Sequence, residues 1–399
     1  MLLIHVREIT PRVEYIFKFI FDEILKVRYS LTDNTEEFMA SSISKFSYGP
    51  SIITNSPLHF LSVNLLFEDT VVSQEIRFSN WGSGKVFYKV DNPNFPFDPF
   101  AASFYILSRY EEYLPHSKDK HHRYDPEGSV CFRGGFLERP IINVWAYKIK
   151  ELLTEVYPDL HFKNNGFTFS PSIDIDNAYA YKHKGFARAS ANLISHLIKF
   201  RFQRFLKRVK VHLSLLEDPY DSYTKQVEIH RKYNLKPSYF ILLGDYGRFD
   251  KNIAPSNKTF QKLIKDLDNE GEVGLHPSYR SNKDKKILFK EKERLEQILG
   301  RKVSKSRQHF IKLSLPGTYK KLMEAGIEED FSMGYPNRSG FRAGTCTSFS
   351  FYDLENNSVT GLRVHPFAFM DTTLKTHQKV RSKDVTSKVL PIINEVKQV

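Results

Sequence analysis

From about residue 166 onward, short apolar runs alternate with longer amphipathic stretches. Phe167–Ile175 reads as a strand, Tyr220–Tyr233 as a helix and Ser238–Leu243 as the next strand. Thr259–Asn269 predicts a helix closed by Gly271, and the strand Glu272–Leu275 follows. Asp284–Leu299 predicts a helix closed by Gly300, then a short strand Val303–Ser306. Pro316–Ala325 predicts a helix closed by Gly326, and later strands are expected at Phe331–Met333, Ser348–Tyr352 and Gly361–Val364. Glycine just past a helix is the usual C-terminal cap, because it accepts the left-handed backbone found there. Alternation at this spacing predicts βαβ units and a parallel sheet, either open or closed into a barrel.

The first 165 residues have a different texture. Short strand-like runs (Ser51–Thr54, Phe60–Val63, Gly84–Val90) are mixed with irregular segments rich in Asn, Pro and Phe. The stretch Asp91–Phe100 holds three prolines, which remove backbone donors and exclude a continuous helix or central strand. Thr10-Pro11 opens a helix, with Thr as N-cap and Pro in the first turn. Further helices are expected over Ala101–Tyr113 and Ile141–Val156. This predicts a smaller α/β or α+β domain over residues 1–160, carrying no metal or nucleophile constellation, before a second domain at 166–399.

Composition narrows the classes open to the chain. At 399 residues, with 41% hydrophobic and 14% aromatic content, it can bury two cores and is not disordered. Its two cysteines, Cys131 and Cys346, make neither a disulfide framework nor a metal clamp, which fits a reducing compartment. The N-terminus lacks the order of a signal peptide, and no apolar segment is long enough to span a bilayer. A cytoplasmic location is expected, either free or at the inner membrane face. The formal charge of +13 directs attention to anionic partners. Much of the excess lies in Lys182–Lys210, where basic residues interleave with apolar ones at helical spacing. Such a helix either lies on an anionic membrane or packs on its own domain with a solvated basic face. No nucleic-acid-binding motif is present, so that partner is not expected.

The candidate chemistry sits where the predicted strands end. The strand Phe167–Ile175 carries Asp174 and, one step beyond it, Asp176. Residues two apart in a strand share a face, so the two acids project side by side, a costly arrangement without a cation or basic partner. Glu272–Leu275 runs into His276, Val303–Ser306 into Arg307-Gln308-His309, and Gly361–Val364 into His365. Groups at the C-terminal ends of parallel strands form the active sites of β/α barrels. A carboxylate with two neutral imidazoles and an open position suits Zn²⁺ or another divalent first-row metal. Together these groups make a kit for metal-assisted hydrolysis of an amide or ester.

At these residues, over about 166–375, the chain resembles the NodB-like polysaccharide deacetylases (carbohydrate esterase family 4) in a divergent form. The resemblance implies a deformed (β/α)7-like barrel. It makes Asp174 the catalytic base and Asp176 a metal ligand. The family's His-x-x-x-His motif falls on His276-Pro-Ser-Tyr-Arg280, where Arg280 replaces the second ligand. The family's Arg-x-Pro motif falls on Arg307-Gln308-His309, where a histidine stands in place of proline. His309 is therefore expected to supply the lost ligand, giving the metal set Asp176, His276 and His309, with Arg307 orienting Asp174. His365 is the expected general acid, with Leu362 three residues before it rather than two. Gly340–Gly344 occupies the place of the element that tunes this acid, and Arg342 is either a substrate contact or a structural arginine. Tyr279, in the loop after His276, is expected to offer a backbone donor to the substrate's oxyanion. The whole chain, including Phe97–Phe104 and Arg109–Tyr113, is similar to a branch of two-domain proteins from Bacteroidetes that accompany surface-polysaccharide synthesis.

The resemblance implies a metal-dependent deacetylase acting on an acetylated bacterial glycan or its lipid-linked precursor. Zn²⁺ is the first choice of metal, with Co²⁺, Fe²⁺ or Ni²⁺ as alternatives. A catalytically decayed glycan-binding or scaffold protein on the same fold is the competing expectation, because Arg280 breaks one motif.

Overall fold

The computed structural model describes residues 1–53, 56–82, 84–92, 95–163, 166–184 and 202–399. The chain divides into two compact units. The first comprises residues 1–167, 313–320 and 330–399; the second comprises 168–312 and 321–329.

In the first unit, β1 (Leu2–Val6), β2 (Tyr29–Thr32), β3 (Ser44–Gly49) and β4 (His59–Leu61) form a parallel sheet in the order β2-β1-β3-β4. Thr10 caps the helix Pro11–Phe17 by accepting the Val13 N–H, as the Thr-Pro pair predicts. The chain then widens into a π-helical turn over Lys18–Ile24. Phe17, Phe21, Phe46, Phe60 and Phe100 stack into one aromatic core with ring centroids 4.5–6.5 Å apart. β5 (Ser79–Trp81) and β6 (Gly84–Val86) form a small hairpin. Asp98 caps the helix Pro99–Leu107, accepting the N–H groups of Phe100 and Ala101. That helix stops six residues short of the expected end, because Arg109 takes a left-handed backbone (φ 56°). The helix Ile141–Val156 has the predicted bounds.

The second unit carries β7 (Ser172–Ile175), β8 (Ser238–Ile241), β9 (Glu272–Leu275) and β10 (Lys305–Ser306), parallel and adjacent in chain order. The helices Tyr223–Lys232, Lys258–Glu270 and Lys285–Leu299 occur between them, near the predicted positions. Gly274 is required at the centre of this run. A Cβ there would come within 2.8 Å of the Lys305 carbonyl oxygen and 2.9 Å of the Phe240 ring. Among the described residues β7 pairs with β8 alone. Among the described residues the run is thus an open parallel α/β sheet, without closure into a barrel.

β11 (Glu329–Met333) begins where the chain passes back to the first unit, which also holds β12 (Phe349–Asp353) and β13 (Ser358–Pro366), paired antiparallel. The last seventy residues therefore group with the N-terminal region rather than with 166 onward. Polar contacts explain this grouping. Tyr15 donates to the Ser350 carbonyl (2.8 Å), Arg12 to Asn357 (2.9 Å), and Thr345 to Asn143 (2.7 Å). No helix among the described residues is long and apolar enough to cross a membrane.

Candidate metal centre

Parallel strands in sequential order bring their C-terminal ends together, and the ladder continues past each strand. The N–H of His276 donates to Ile241 O (2.9 Å), that of Arg307 to Leu275 O (3.0 Å), and that of His309 to Pro277 O (3.1 Å). These bonds fix the backbone of the groups that follow β9 and β10. Beyond His309, Phe310 and Ile311 take left-handed backbones (φ 61° and 49°), a strained turn for two non-glycine residues.

Asp176, His276 and His309 meet at this edge, each offering an atom within 4.8 Å of the other two. His276 Nε2 lies 3.0 Å from Asp176 Oδ1, and His309 Nε2 lies 3.6 Å from the same oxygen. Both rings are held from behind. His276 Nδ1 is 2.5 Å from the Arg307 carbonyl oxygen, and His309 Nδ1 is 3.0 Å from Asp250 Oδ1. Both Nδ1 atoms face an oxygen, so each ring can keep a hydrogen on Nδ1 while its Nε2, turned to the shared side, is the nitrogen open to a ligand role. An oxygen acceptor behind each imidazole is the arrangement that orients histidine for metal binding. The two rings are almost fully buried, whereas the Asp176 side chain is 56% exposed, so the donor set opens on one side.

The electrostatics agree with the geometry. Desolvation alone would raise the Asp176 carboxyl, but its contacts with His276 and His309 hold it well below the usual carboxylate range. Burial disfavours charge on His309, yet Asp176 and Asp250 together push its imidazole up to about 9. The gap between these two carboxylates favours positive charge.

Asp174 belongs to β7 and pairs in register with Phe240. Arg307 donates from Nη1 to Asp174 Oδ1 (3.2 Å) and from Nη2 to Ser172 Oγ (2.7 Å), and its guanidinium lies 5.0 Å from the Phe240 ring centre. The arginine is nearly buried, and Asp174 keeps partial access to solvent.

Other expected site residues are placed differently. The Tyr279 N–H donates to Asp250 Oδ1 (2.8 Å), so it is committed and is not open to an oxyanion. Arg342 lies in the first unit, fully buried, and donates from Nε and Nη2 to the two oxygens of Glu112 (2.9 and 2.6 Å). Its surroundings are those of a structural arginine. His365 also belongs to the first unit, on β13, with Nδ1 2.8 Å from Ser348 Oγ and its ring stacked on Phe331. The residue that the sequence does not single out is Asp250, which is buried and touches both His309 and Tyr279. It lies in the loop after β8, where Asp245 is an equally good candidate by sequence; the structure pairs Asp245 with Arg294 at the surface.

Residues 2–158 match a family of unknown function (DUF7033). No curated protein matches the chain. Among solved structures, it is similar to one assigned to the polysaccharide deacetylases from Mycobacterium smegmatis, with 14% identity over 52% of this chain and 61% of that one, TM-score 0.31. It is also similar to IcaB from Ammonifex degensii, with 12% identity over 43% of this chain and 86% of that one, TM-score 0.25. The polysaccharide deacetylase Bc1974 from Bacillus cereus matches at 17% identity over 44% of this chain and 82% of that one, TM-score 0.24. The chain thus spans less than two thirds of the first of these structures. At such scores the likeness carries no argument, and the functional reading stands on the geometry of the site.

Proposed function

We propose that this chain is a metal-dependent hydrolase of the deacetylase type, removing acetyl groups from a glycan or its lipid-linked precursor. One observation carries the reading: two imidazoles, each tied through Nδ1 to an oxygen behind it, turn their Nε2 atoms toward one half-exposed carboxylate. Asp176, His276 and His309 would hold the cation, so His309 takes the role that Arg280 cannot fill. Two nitrogens and one oxygen suit Zn²⁺ first, with Co²⁺, Fe²⁺ or Ni²⁺ as alternatives. A divalent cation in such a set supplies a Lewis acid for an acyl carbonyl and acidifies water.

The chain's own groups do the rest. Arg307 fixes the orientation of Asp174 through a charge-assisted hydrogen bond, which aims a carboxylate that can take a proton from water. Asp250 accepts the Nδ1 hydrogen of His309, so Nε2 is the nitrogen that would serve a cation.

Elemental analysis of the purified protein beside Asp176→Ala, with acetate release from acetylated glycan fragments, tests the proposal. Stoichiometric metal in the wild type, absent from the variant, together with acetate release is expected. A wild type that takes up no metal on reconstitution and releases no acetate would favour the scaffold reading instead.

A further inference from the structure

The helix Phe202–His212 of the second unit has its polarity turned the wrong way for a helix that serves only its own domain. Arg208 is buried, its guanidinium 5.3 Å from the Tyr181 ring centre, and Val211 is buried beside it. The large apolar residues point the other way. Phe202, Leu206, Leu213, Leu215 and Leu216 are 44–69% exposed. Burying an arginine while exposing a phenylalanine and four leucines is the reverse of what folding alone favours.

The exposed leucines do not hang on a frayed end. The Leu213 N–H donates to Val209 O (2.9 Å) and the Leu215 N–H to Lys210 O (2.8 Å), while Ser214 adopts a left-handed backbone (φ 58°). This closes the helix with a hydrogen-bonded turn that holds Leu213, Leu215 and Leu216 in fixed positions. Phe202, Leu206 and Lys210 follow one another at four-residue spacing, so a cation continues the apolar row on the same face. Lys207 and Lys210 are both exposed. From 202 to 212 the sequence contains Arg204, Lys207, Arg208 and Lys210 and no acid.

We propose that this helix and its closing turn are a docking surface for an anionic lipid bilayer, with the leucines entering the interface and the lysines meeting acidic headgroups. A basic amphipathic helix of this kind is suited to lying on a bilayer surface. Charge decides the occupant: residues 202–212 set cations and no acid among their apolar positions, which complements a negatively charged surface. The basic segment extends upstream in the sequence, but residues 185–201 lie outside the described residues, and the proposal rests on 202–216 alone. It does not depend on the metal site.

The test is co-flotation of the full chain with vesicles of phosphatidylglycerol and phosphatidylcholine, beside vesicles of phosphatidylcholine alone. Binding to the acidic vesicles at low salt, weakened by added salt and absent on neutral ones, is expected. Each lysine near the surface contributes roughly fivefold, so Lys207→Gln with Lys210→Gln is expected to weaken binding by about 25-fold. Leu213→Ser with Leu215→Ser changes only exposed positions, and it is expected to abolish flotation while circular dichroism and metal content stay as in the wild type. No binding at low salt, or binding by both double variants as strong as the wild type's, would overturn the proposal. So would a concentration-dependent dimer that the leucine variant dissolves, which would give the face to a second copy of the chain.

Discussion

Each unit contains a cluster of charged side chains withdrawn from water, and the two clusters are finished in opposite ways. In the first unit, Arg109, Glu111, Glu112 and Arg342 are all nearly or fully buried. Glu112 receives both arginines, Arg109 also reaches Glu111 (2.9 Å), and Glu111 accepts the Val130 N–H (2.8 Å). Charge there is balanced pairwise, and the hydrogen bonds run inward. In the second unit, His276 and His309 are buried, but the carboxylate on which they converge is more than half exposed. A closed cluster stabilises a fold; a cluster whose donor atoms converge on an exposed side can take a ligand. The contrast separates Arg342 from Asp176 more sharply than their residue types do.

The largest effects should fall on opposite properties. Asp174→Asn removes the proposed base and leaves Arg307 and the three metal donors in place. Acetate release is expected to fall by roughly 10²–10⁴-fold with metal content unchanged, measured by turnover beside elemental analysis. Undiminished release would remove Asp174 from the base role. Glu112→Ala leaves two buried arginines without their shared acceptor and is expected to cost about 3–5 kcal/mol in urea unfolding, with metal binding retained. Stability unchanged in that variant would erase the distinction drawn between the clusters.

The same pair of arginines sets a pH dependence. Burial opposes charge on Glu112, but Arg342 and Arg109 hold its carboxyl at about 2, below its ordinary 4.5. A folded-state pKa lowered in this way contributes stability that is full above pH 4.5 and is lost as the pH falls toward 2. Denaturant midpoints measured across that window should therefore drop more steeply in the wild type than in Glu112→Gln, whose amide does not titrate.

The sequence exposes the second cluster well and the first hardly at all, for a physical reason. Parallel strands adjacent in chain order bring their ends together, so Asp174, Asp176, His276, Arg307 and His309 can be grouped from strand positions alone. The same logic predicts most helices of the second unit, because amphipathic periodicity and a following glycine are local signals. Arg342 meets Glu112 across 230 residues, and no periodicity in a sequence records such a pairing. The grouping of residues 330–399 with the N-terminal region is hidden for the same reason. Asp250 falls between these cases, since its strand is legible while its place in the long loop after β8 depends on the fold.

Asp250 gives the finest test of the comparison, because it is as buried as the first cluster's acids yet serves the open one. One of its oxygens accepts from His309 Nδ1 (3.0 Å) and from the Tyr279 N–H (2.8 Å). Asp250→Asn keeps the shape and can keep one acceptor oxygen, but it removes the charge that fixes the His309 hydrogen on Nδ1. If Asp250 works through His309, metal affinity should fall by about 10–100-fold while the unfolding midpoint moves little. Competition with a chromophoric chelator measures the first, and urea unfolding of the metal-free protein the second. A large loss of stability with unchanged metal affinity would place Asp250 with Glu112, as a structural acid, and would leave His309 without the support that its ligand role requires.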